Sequence, residues 1–125
     1  MGKLLSFMDL DTWKTGHQLV LQVYKLIRTF PKDERYALSD QMKRAAISIT
    51  SNIAEGFHRQ TFKEKRQFYY MALGSLTELQ NQMLIARDIG YVQNDVFLMI
   101  AELTLSVRKL TSGLIRSINN KDADS

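Results

Sequence analysis

Between residues 68 and 89, small and apolar residues return at alternating steps of four and three: Phe68, Ala72, Ser75, Leu79, Gln82, Ala86 and Ile89. That spacing places all seven on one face of a helix. A near-heptad repeat of this length suits the shallow crossing of helices packed side by side in a bundle. Punctuation elsewhere is sparse. The 125 residues hold one Pro and 6 Gly, whereas a many-stranded fold needs turn signals every ~8–12 residues. Long helices are therefore the only elements this chain is well written for.

Three further helices read from the same logic. Residues 1–10 form an irregular lead-in. A first helix is predicted from Asp11 to Phe30, with Trp13, His17, Val20, Tyr24 and Ile27 on one stripe and Leu19, Val23, Leu26 and Phe30 on a second. Pro31 ends it, because the residue before proline is pushed out of the α region. A short turn over Glu34–Leu38 follows. Ser39 is the expected N-cap of a second helix, with Asp40 opposing the helix dipole. That helix runs to Phe57 along Met42, Ala46, Ile49, Ile53 and Phe57. Thr61 and Glu64 match a capping box for the third helix, and Gly90 suits its C-terminal cap. The fourth is predicted from Asn94 to Ile118 along Phe97, Ile100, Thr104, Val107, Thr111, Leu114 and Ile118, leaving 119–125 as a polar, disordered tail. Short connections make sequential helices antiparallel neighbours. The expectation is an all-α, up-down-up-down four-helix bundle forming one domain over residues 1–125, with its core in 11–118.

Hydrophobic residues make up 45% of the chain, enough for a core. Cys is absent, which excludes disulfides, thiolate metal sites and a Cys nucleophile. With no signal peptide at the N-terminus, a reducing cytoplasm is the expected compartment. No apolar run approaches the ~20 residues of a membrane helix. Net charge is +4, which permits nucleic acid as a partner without demanding it.

Chemistry-bearing patterns are few. Glu55-Gly56-Phe57-His58 has the Glu-x-x-His spacing of carboxylate-bridged metal bundles, but those need two such motifs and two further glutamates. His17 has no Glu three residues before it, and Glu78 and Glu102 stand alone. No phosphate-binding loop, dinucleotide fingerprint or nucleophile elbow occurs. The sequence therefore predicts no catalytic residues, no metal and no cofactor. The basic residues Lys43, Arg44, Arg59, Lys63, Lys65 and Arg66 face only Glu55 and Glu64 in the same window. Gathered at the turn between helices two and three, they would form a phosphate-binding patch with little sequence preference; the bland reading is a solvated helix end. In the middle of the second helix, Ser48, Asn52 and Glu55 share a small polar face, matched on the third by Ser75, Glu78 and Gln82. These six are expected to meet in a buried polar network that fixes register, the alternative being a polar ligand pocket.

At these residues the chain resembles a known family. Arg44-Ala45-Ala46-Ile47-Ser48-Ile49, Asn52-Ile53-Ala54-Glu55-Gly56, Arg59, Phe68, Ala72-Leu73-Gly74-Ser75-Leu76, Glu78 and Leu79 are similar to the four-helix proteins encoded in intervening sequences of bacterial 23S ribosomal RNA genes. Leu10-Asp11-Thr12-Trp13 and Ile89-Gly90-Tyr91 extend the likeness over residues 9–118. Thr50 departs from it, standing where many relatives carry a kinking proline. The resemblance implies a ring-like homo-oligomer, commonly a pentamer, without catalytic residues. It also implies analogy to accessory factors of retroelements, basic rings that bind nucleic acid and a reverse transcriptase. Extra apolar residues, the second stripe of the first helix and Leu98, Met99 and Leu105 on the fourth, independently favour self-association. Two functions stay open: an oligomer whose basic surface binds RNA or DNA, and a self-associating scaffold that holds a protein partner without touching nucleic acid.

Overall fold

The structure, a computed structural model, describes residues 4–124. Four helices carry it: α1 (Asp11–Ile27), α2 (Leu38–His58), α3 (Phe62–Asp88) and α4 (Asn94–Asp124), with 3-10 turns at Phe7–Asp9 and Lys32–Glu34. No strand occurs among the described residues. Contacts at the two ends fix the directions. At one end Phe7, just ahead of α1, packs on His58 at the close of α2, and Arg66 at the start of α3 reaches Asp122 at the close of α4. At the other, Phe30 after α1 packs on Tyr91 after α3. Consecutive helices therefore run in opposite directions. α1 and α4 close the ring, and α2 and α3 share the most extensive interface.

All four helices supply the core. Leu19 and Val23, Met42, Ile49 and Ile53, Leu76 and Leu79, and Ile100 and Val107 are fully buried within it. Thr104 and Thr111 are buried beside them, and each hydroxyl donates to the carbonyl four residues earlier, Ile100 at 2.8 Å and Val107 at 2.7 Å. The polar atoms of α4's inner seam are thus satisfied within their own helix.

Several boundaries differ from expectation. α1 stops at Ile27, three residues short of Phe30, because the Thr29 hydroxyl and amide both turn back to the Leu26 carbonyl. Ser39 does not cap α2. The N-cap position falls two residues earlier at Ala37, the helix starts at Leu38, and Ser39 is buried in its first turn. Thr61 does cap α3, accepting from the Glu64 amide at 3.1 Å. The Glu64 carboxylate, however, accepts a hydrogen bond from the Thr61 hydroxyl at 3.0 Å rather than from the Thr61 amide. α3 ends in a Schellman arrangement: Tyr91 N–H donates to the Ala86 carbonyl, Gly90 N–H to Arg87, and Gly90 has φ +85°. α4 continues past Ile118 to Asp124, where a disordered tail was expected; Arg66 holds this last stretch through Asn119 at 3.2 Å and Asp122 at 3.0 Å. Of the lead-in, residues 1–3 lie outside the described residues, as does Ser125 at the other terminus.

Candidate nucleic-acid interface

The six cations picked from sequence do not form one patch. Lys43 and Arg44 sit near the start of α2 and Arg59 just past its end, about 23 Å apart along the axis at 1.5 Å per residue. Arg44 is held by Asp40 one turn earlier at 3.1 Å. At the α2–α3 turn three of the remaining four are engaged. Arg59 pairs with Glu55 at 3.0 Å and lies 4.5 Å over the Phe68 ring. Arg66 pairs with Asp122. Lys65 donates to the Phe57 carbonyl at 2.7 Å and the Gly56 carbonyl at 3.3 Å, capping the end of α2. Burial there, reinforced by the positive charge of Lys121, holds the Lys65 ammonium below the ordinary lysine range. Lys63 is exposed and has no ion-pair partner among the described residues.

The opposite end carries cations that sequence reading passed over. A groove of about 550 Å³ opens where α1 leads through Pro31 into α2. Arg28, Lys32, Arg35 and Lys43 line it, and no carboxylate does. None of these four is ion-paired among the described residues. Lys43 Nζ lies 5.6 Å from the centre of the Tyr24 ring, and the Arg35 guanidinium 5.6 Å from that of Tyr36. The signal was available: Arg28, Lys32 and Arg35 recur at steps of four and three across Pro31.

The polar network is smaller than expected. Asn52 Nδ2 donates to the Ser48 carbonyl at 2.8 Å and to Ser48 Oγ at 3.0 Å. Ser75 Oγ bridges from α3 to Ser48 Oγ at 2.8 Å. Glu55 and Glu78 lie outside it, exposed, because a carboxylate loses more by leaving water than this interface returns. Gln82 is buried, but its Oε1 has no hydrogen-bond partner among the described residues. Glu55 and His58 do not converge on a metal position either. Glu55 is bound to Arg59, and the His58 ring stands edge-on to Phe57 and Phe7. Among the described residues no group of three or more His, Cys, Asp or Glu side chains is disposed to hold a metal ion. None of their helices is long and apolar enough to cross a membrane.

Apolar surface remains on α4. Leu98 is 54% exposed, Leu105 48% and Met99 37%. Leu84 on α3 is also exposed, and a mostly apolar groove of about 290 Å³ between the two helices is lined by Met83, Leu84, Phe97 and Ala101 together with Gln80 and Thr104.

The family model described as 23S rRNA-intervening sequence protein matches residues 8–113. This chain belongs to the 23S rRNA-intervening sequence protein family. A crystal structure of a protein of unknown function from the S23 ribosomal protein family of Bacteroides thetaiotaomicron VPI-5482 superposes with a TM-score of 0.78 at 17% identity, covering 84% of this chain and 95% of that one. At that identity the likeness is one of fold. No curated protein matches the chain.

Within this member of the intervening-sequence family, the Asn52–Gly56 string has structural work. Asn52 ties α2 to the serine pair, and Ile53 fills the core. Gly56 lets α3 approach. A Cβ built there would lie 2.5 Å from Cε1 and 2.8 Å from Cδ1 of Tyr69. The Tyr69 ring is itself buried against Ile115 and Ile118, and burial pushes its hydroxyl pKa up to about 12.

Proposed function

We propose that this protein is a non-enzymatic module that assembles with copies of itself and binds nucleic acid through its basic surface. The observation that carries the reading is the exposed apolar pair Leu98 and Leu105, two turns apart on one outer face of α4. A Leu left half exposed has about half of the ~1.5–3 kcal/mol of full burial still to gain. That pair, repeated around a closed ring, supplies part of what association needs. A ring, with the pentamer that the family resemblance implies, uses this surface in every copy. The net charge of +4 and the unpaired cations at the α1–α2 corner favour a polyanionic partner. Lack of Cys suits a cytoplasmic setting.

Sedimentation velocity at tens of micromolar tests the assembly. The expected result is an oligomer for the wild type and a monomer for Leu98→Glu/Leu105→Glu; a monomeric wild type removes the reading. A scaffold for a protein partner, such as a reverse transcriptase, is the second reading, favoured by the apolar α3–α4 groove. It predicts oligomers that leave labelled RNA and DNA unbound even at low salt.

A further inference from the structure

We infer that the groove at the α1–α2 corner is a site for single-stranded nucleic acid, with backbone phosphates on Arg28, Lys32, Arg35 and Lys43 and a base stacked on Tyr36. This rests on the nucleic-acid reading above and assigns it a place and a strand type. The opposite end of the bundle is the weaker candidate, since Arg59, Lys65 and Arg66 there are already committed to Glu55, the α2 carbonyls and Asp122. The groove's four cations have no such partners among the described residues. The acids nearest in sequence are turned to other tasks or lie off the lining. Glu34 accepts the Tyr91 hydroxyl at 2.7 Å, Asp40 holds Arg44, and Asp33 does not line the groove.

Two further features point to a phosphate ligand. α2 begins here without a side-chain cap, so its first-turn amides are directed at this corner with the positive end of the helix dipole. Ser39 in that turn is only 6% exposed and lines the groove, which sets a hydroxyl among the four cations. Beside it, Tyr36 is 86% exposed, with the Arg35 guanidinium over one face of its ring and the other face left for stacking. Cations interleaved with aromatic rings are how single strands are held without sequence preference. Concavity decides between strand types. A duplex is read by a convex element entering its groove, whereas a concave groove of about 550 Å³ receives a flexible strand and a splayed base.

Fluorescence anisotropy with a labelled single-stranded RNA, and with a duplex of the same sequence, tests this on the full chain across a salt series. Four phosphate contacts predict a log–log salt slope of about −2.8 for the single strand, or about 50-fold weaker binding at 200 than at 50 mM salt. Lys32→Ala/Arg35→Ala/Lys43→Ala is expected to flatten the slope by about 2. Tyr36→Ala is expected to weaken single-strand binding about fivefold or more with the slope intact. Lys63→Ala, at the other end, should change neither. Circular dichroism checks that each variant keeps its helices. If the wild type binds no nucleic acid at low salt, the functional reading itself fails. If it binds but the triple variant keeps the full slope, the groove assignment is overturned while the functional reading stands. Equal affinity for the duplex, unaltered by Tyr36→Ala, overturns the strand type.

Discussion

Replacing Gly56 by Ala sets two effects of opposite sign against each other. In a helix, Ala is favoured over Gly by about 0.5–1 kcal/mol through backbone entropy. At Gly56 the added methyl would sit 2.5 Å and 2.8 Å from two ring carbons of Tyr69 and 3.2 Å from Phe68 Cβ. The Tyr69 ring cannot simply retreat, because Ile115 and Ile118 of α4 are packed behind it. Overpacking of this kind costs about 1–3 kcal/mol. The clash wins, and Gly56→Ala should lose about 1–2 kcal/mol, lowering Tm by about 4–8 °C in a domain of this size. Gly74 on α3 supplies the contrast, since nothing lies within 4 Å of a Cβ built there. Gly74→Ala should therefore raise Tm by a few degrees. Thermal melts by circular dichroism read both. In a Tyr69→Ala background the loss at Gly56 should shrink, because the two closest contacts are gone and only Phe68 Cβ at 3.2 Å remains. A Gly56→Ala protein melting at or above the wild-type temperature would refute the argument, and so would a loss undiminished without the ring.

The same tyrosine predicts a pH dependence. Its pKa is about 12 in the folded protein against 10.0 unfolded, so the neutral phenol is the form the fold favours. That stabilisation is fully present below pH 10 and is lost as the unfolded chain ionises between pH 10 and 12, amounting to about 2–3 kcal/mol at the top of the window. Urea midpoints of the wild type should fall across that range relative to Tyr69→Phe; parallel curves would count against it. Gln82, whose buried Oε1 lacks a partner among the described residues, should be better replaced by Met, with a gain of about 1 kcal/mol in the same denaturation assay. A loss on Gln82→Met would mean that the amide oxygen is satisfied after all.

What was legible in the sequence was one-dimensional, and what was not depended on which groups meet. The α3 repeat marked Ala72, Ser75, Leu79, Gln82 and Ala86, all buried, yet it missed Tyr69, Leu76 and Met83. A helix packed on both α2 and α4 buries two adjacent stripes, and a single-period reading sees one. On α1 both stripes are apolar, so pattern alone cannot choose between them. Packing buries Leu19, Val23 and Leu26 and leaves Trp13, stacked on His17 at 4.7 Å, half outside. Ser48 and Ser75 were matched across α2 and α3 because both are small and polar at helical spacing, and they do bond. Glu55 and Glu78 share the spacing but not the cost of burial, and water keeps them.

The basic residues make the same point with functional weight. Counting charge along a window of sequence joined Lys43 to Arg66, though a 21-residue helix holds the two ends of that window far apart. Folding instead brings Lys43 to Arg28, Lys32 and Arg35, which precede it across a proline turn. It also removes Arg59 and Arg66 from the count by giving each a carboxylate. A surface cation already paired with an acid releases little on meeting a phosphate, because it must give up one anion to take another. The unpaired set at the α1–α2 corner has no such exchange to make, so the strength of any polyanion binding follows from how the helix ends pair their charges and not from the net +4 alone.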